Sequence, residues 1–78
     1  MYTMSRYVLN TKIIQALISK YDAQYKEADA TLSIYMQNSV GIGEHPQHLE
    51  EMDKLVNAMV QANDNKEMIT KWQKENLQ

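Results

Sequence analysis

Cysteine and phenylalanine are missing from this chain, and helix breakers nearly so. Gly41, Gly43 and Pro46 are the only glycines and the only proline among 78 residues. Without cysteine there is no disulfide framework and no thiolate metal site, and a reducing cytoplasm fits. A charge excess of one sign is also lacking. Eight basic residues face ten acidic ones, for a formal net charge of −2, mixed along the chain. That argues against the basic face of a nonspecific nucleic-acid binder. No stretch approaches the roughly 18 apolar residues of a membrane span, and the N-terminus lacks the basic-then-apolar pattern of a secretion signal. The expectation is a cytoplasmic protein with no membrane partner. A length of 78 residues implies one domain, 1–78, whose core is marginal alone. Self-association, as a dimer or higher oligomer, is therefore expected.

What is present points to helix. The fold class expected is all-α: a long antiparallel two-helix hairpin, about 3–38 and 46–75, oligomerising into a helical bundle. Met4, Tyr7, Thr11, Ile14, Ile18, Tyr21, Tyr25, Ala28, Leu32 and Tyr35 alternate steps of three and four. This is the 3.5-residue period of a coiled-coil seam. Thr3 or Ser5 is the candidate cap at its start. Asn10-Thr11 is the one place where this helix could restart. Unbroken, it spans roughly 50 Å at 1.5 Å per residue.

The turn is Val40-Gly41-Ile42-Gly43-Glu44-His45-Pro46. Gly41 can end a helix in a left-handed cap, Gly43 gives a second permissive point, and Pro46 suits a first helical turn. In the second helix Leu49, Met52, Val56 and Met59 continue the three-four spacing, with Leu55 and Val60 beside it. Gln61-Ala62-Asn63-Asp64-Asn65 is a polar run of poor helix formers. Asp64 and Glu67 outline a capping box, so this is a place where the helix could kink or restart. Met68, Ile69 and Trp72 resume the apolar face. Pairing across the turn sets Tyr35 against Leu49, Ala28 against Val56, Tyr21 against Asn63, and Ile14 against Ile69.

The chemistry-bearing residues are few. His45 and His48, with Glu44 and Glu51, are the only candidate metal ligands. They lack the HExxH pattern, and no metal or other cofactor is expected. Gly41-x-Gly43 precedes a helix, but no strand leads into it and no cation stands nearby, so phosphate capture is not expected. No nucleophile–base–orienter set is readable, so the chain is not expected to be an enzyme and no catalytic residue is assigned. Leu9, Ile13 and Leu17 widen the apolar stripe beyond what a two-helix seam needs. With Met68 and Trp72 they form the candidate partner or oligomer surface. Tyr7, Tyr21 and Tyr25, with Lys12 and Lys26, are the candidate ligand-binding set, if an oligomer leaves a tyrosine-lined pocket with a basic rim.

The turn from Asn38 to Pro46, followed by Glu50-Glu51-Met52-Asp53-Lys54-Leu55, resembles small helical-hairpin proteins encoded by tailed bacteriophages. It covers about a quarter of the chain, and its Val-Gly-Ile-Gly-Glu-His-Pro core is its distinctive part. The resemblance implies a phage accessory protein acting in the host cytoplasm, and it carries over no catalytic residue. In architecture alone the chain is similar to phage anti-defence sponge proteins, short oligomerising hairpins that sequester cyclic nucleotide immune signals. Three non-catalytic roles follow as expectations. The first is binding and blocking or sequestering a host component, as an inhibitor of defence. The second is an oligomeric sponge for a cyclic nucleotide immune signal. The third is a structural or assembly component of a phage particle.

Overall fold

The computed structural model describes residues 6–38 and 46–77, with side chains described for 8–37 and 48–77. All of the regular structure in them is helical. α1 runs from Arg6 to Asn38 and α2 from Pro46 to Asn76. The Leu77 N–H still donates to the Gln73 carbonyl at 2.9 Å, which carries the helical pattern one residue further. The candidate caps Thr3 and Ser5, and the turn glycines Gly41 and Gly43, lie outside the described residues. Pro46 is the first residue of α2, the place where a missing N–H is harmless.

Both possible break points are continuous helix. Asn10-Thr11 sits inside α1, with Val8, Leu9, Ile13 and Ile14 on either side. The Gln61–Asn65 run sits inside α2, so the helix does not restart at Asp64. Two observations explain its continuity. Ala62 is buried at 2% exposure, and the Gln61 side chain donates to Asn65 Oδ1 at 3.4 Å across one turn. Packing of one face, with a side-chain bridge on another, outweighs weak propensity.

The helices run antiparallel. Beside the turn, the rings of Tyr35 and His48 meet edge to face, with centroids 5.5 Å apart. Near the chain ends, Ile14 and Leu17 share a groove with Ile69 and Trp72. Along α1 the seam follows the expected spacing at Thr11, Ile14, Ile18, Tyr21, Ala28, Leu32 and Tyr35, which are buried or half-buried, but Tyr25 is corrected: it is 40% exposed at the edge of the seam. Along α2 the seam is corrected. It passes through His48, Met52, Leu55, Met59, Ala62, Lys66 and Ile69. Leu49 is 71% exposed and Val56 45% exposed. From Met52 a step of three or of four is equally apolar. Only the step to Leu55 leads on to Ala62 and Ile69, whereas Val56 would lead to Asn63 and Thr70. The seam takes the path that buries more apolar surface.

The molecule is a flat rod, 62 × 26 × 14 Å, one helix thick. Its radius of gyration is 18.0 Å, against about 11–12 Å for a compact domain of this length. Among the described residues, only Ile14, Ala28 and Ala62 are buried apolar residues. Lys66, placed in the seam, turns outward to Asp22 and bridges the helices at 2.8 Å, with both side chains partly exposed.

Candidate binding surface

A rod one helix thick has two broad faces, and the sequence divides them by heptads. On one face α1 presents Asn10, Leu17, Gln24 and Thr31 next to the seam. Ile13 and Glu27 stand further out, and α2 presents Ala58, Gln61, Asn65, Met68 and Trp72. Each inner series repeats every seven residues, which keeps it on one side of a gently supercoiling helix. On the other face Tyr25 and Leu32 meet Val56, Met59, Val60 and Asn63. That side continues toward the chain ends through Lys66, Glu67, Thr70, Lys71 and Lys74. They are called here the Trp72 face and the Tyr25 face.

Both faces carry exposed apolar surface, at opposite ends of the rod. On the Trp72 face the apolar part lies toward the chain ends. There Ile13, Ile14, Leu17, Ile69 and Trp72 line one shallow groove, and Tyr21, Met68 and Trp72 line its neighbour. Toward the turn this face becomes polar, through Gln24, Glu27, Thr31 and Gln61. On the Tyr25 face the order is reversed. The groove of Tyr25, Leu32, Val56, Met59 and Val60 lies toward the turn, and the lysine-bearing groove toward the chain ends.

Most of the candidate partner surface is brought together. Ile13, Leu17 and Trp72 line one groove, and Met68 adjoins it across Trp72. Leu9 is exposed one turn before Ile13, on the same ridge of positions four apart, but outside the grooves. The sequence reading missed the Tyr25 face. Val56 was placed in the seam and Val60 beside it, and neither was assigned to a surface. The signal was in the spacing: Val56, Val60 and Asn63 stand one step outside the Met52–Leu55–Met59–Ala62 seam.

The candidate ligand set is not assembled within one chain. Tyr21 lines a groove of the Trp72 face and Tyr25 a groove of the opposite face. Lys12 and Lys26 are exposed and line none of these grooves, and the Tyr7 side chain lies outside the description. A site using both tyrosines would need more than one copy of the chain. Among the described residues, no group of three or more histidine, aspartate or glutamate side chains could hold a metal ion. Glu44 and His45 lie outside the described residues. Among the described residues, no helix is long and apolar enough to cross a membrane.

No protein-family model matches the chain, and neither a curated protein nor a solved structure is significantly similar to it.

Proposed function

We propose that this protein is a non-catalytic binding protein that acts by contact, blocking or sequestering another cellular component. The observation that carries this reading is the ratio of its surfaces. Among the described residues three form the buried core, while Ile13, Val56, Val60, Met68 and Trp72 among others stand exposed on two organised faces. Monomeric soluble proteins rarely leave large contiguous apolar surface open unless it is used. A straight groove between two helices also suits an amphipathic helix of a protein partner. The resemblance of the turn to phage hairpin proteins suggests an accessory role in an infected bacterial cell, where an inhibitor of defence would be a small contact protein of this kind.

The test is affinity capture from bacterial lysate with the parent chain and two paired variants. Ile13→Glu with Met68→Glu alters the Trp72 face, and Val56→Glu with Val60→Glu alters the Tyr25 face. One host protein held by the parent and lost with one variant supports the reading. Equal capture of every protein by all three chains overturns it. A parallel melting series with cyclic dinucleotides and trinucleotides tests the sponge role. A ligand that binds only the folded state raises the melting temperature by mass action.

A further inference from the structure

We propose that the Trp72 face is covered by a second copy of this chain. The two-fold axis would run along the rod, forming a four-helix bundle with both turns at the same end. Area supplies the first argument. The chain exposes 6,492 Å², whereas a compact monomer of this mass exposes about 4,900 Å². The excess, about 1,600 Å², is twice the roughly 800 Å² each partner gives to a standard interface. A stable dimer therefore needs only about half of the surplus.

The second argument is complementarity. Such an axis sets α1 of one copy over α2 of the other and keeps residues at their own heights along the rod. The Tyr35–His48 contact and the Ile14–Ile69 groove fix those heights within each hairpin. Ile13 then meets Met68, Lys20 meets Gln61, and Glu27 meets Lys54, each pair within about 3 Å of the same height. Apolar meets apolar, polar meets polar, and acid meets base. The reciprocal set across the axis doubles every match. Applied to the Tyr25 face, the same operation sets Lys26 against Val60 and Asp29 against Val56. Only the Trp72 face is self-complementary in this sense.

This inference shares its premise, an exposed face used for contact, with the function proposed above. Its test is separate because it reads self-association of the pure chain. Sedimentation is measured for the parent, for Glu27→Lys, for Lys54→Glu, and for an equimolar mixture of the two. Within each variant the two inter-copy pairs become like-charged. Self-association should weaken by about fivefold or more, from the loss and reversal of two rim pairs. In the mixture both pairs become acid–base again, and association should return to near the parent's. Circular dichroism of each variant checks folding, since Lys54 also pairs with Glu51 at 3.2 Å within its own helix. A parent that stays monomeric, single variants that sediment as the parent does, or a mixture that fails to recover would each overturn the proposal. The last outcome would also be expected if two copies met with α1 against α1, or if a different protein covered the face.

Discussion

Ala28 and Ala62 decide how closely the two helices approach, because two of the three buried apolar residues among those described are alanines. A larger side chain at such a site must push the helices apart or leave its rotamer well. Ala62→Leu should therefore cost about 1–3 kcal/mol, the usual range for overpacking. Asn63, one residue on, is exposed. Asn63→Leu should stay within about 0.5 kcal/mol of the parent, as surface changes do. Urea melts of the two variants test the seam directly; a larger loss for Asn63→Leu would restore the register first expected from sequence. Ile14 is the only large residue in the buried set. Ile14→Ala should cost about 2–5 kcal/mol, a large share of what so small a core supplies.

In the helices, α1 was legible from its spacing except at Tyr25, since the other seam positions from Thr11 to Tyr35 are buried or half-buried while Tyr25 is exposed. The seam of α2 was half legible. Met52 is followed by the adjacent apolar residues Leu55 and Val56, so the local pattern cannot choose between them. The choice is made two turns later, at Ala62 and Ile69, and it was hidden by Lys66 occupying a seam position. The same lysine explains why the polar run resembled a break. Asp64 looked like a cap but lies within continuous helix. Asp64→Ala should consequently change stability by no more than about 0.5 kcal/mol, whereas a true cap would lose about 0.5–2 kcal/mol; thermal melts followed by circular dichroism distinguish the two. The Lys66–Asp22 bridge is partly exposed, so it is worth only about 0.2–1 kcal/mol and is screened by salt. Lys66→Met fills the seam with apolar volume. It should melt at or above the parent temperature and lose part of the parent's salt dependence. A clear drop in melting temperature would mean the bridge holds the hairpin together more than packing does.

At the scale of the whole molecule, elongation is the fact from which the functional reading follows. A rod 14 Å thick carries its grooves as shallow faces between the helices. The candidate partner surface was legible because Ile13, Leu17, Met68 and Trp72 exceed what a two-helix seam can bury. The Tyr25 face was not, because it could be recognised only once Val56 was known to leave the seam. Ile13→Glu and Met68→Glu should reduce self-association while leaving helicity intact, because both side chains are at least half exposed. Leu17 is half-buried beside Ile14. Leu17→Glu should therefore lower hairpin stability as well as association, which separates it from the two exposed positions in a combined melting and sedimentation experiment.

The central claim is that this chain works by covering its exposed faces with other protein, beginning with itself. Sedimentation equilibrium of the pure chain, from low to high micromolar concentration, tests it most directly. A discrete multiple of 9.1 kDa is expected, two copies first, with a melting temperature that rises with concentration. A mass of 9.1 kDa at every concentration, with melting independent of concentration, would contradict it.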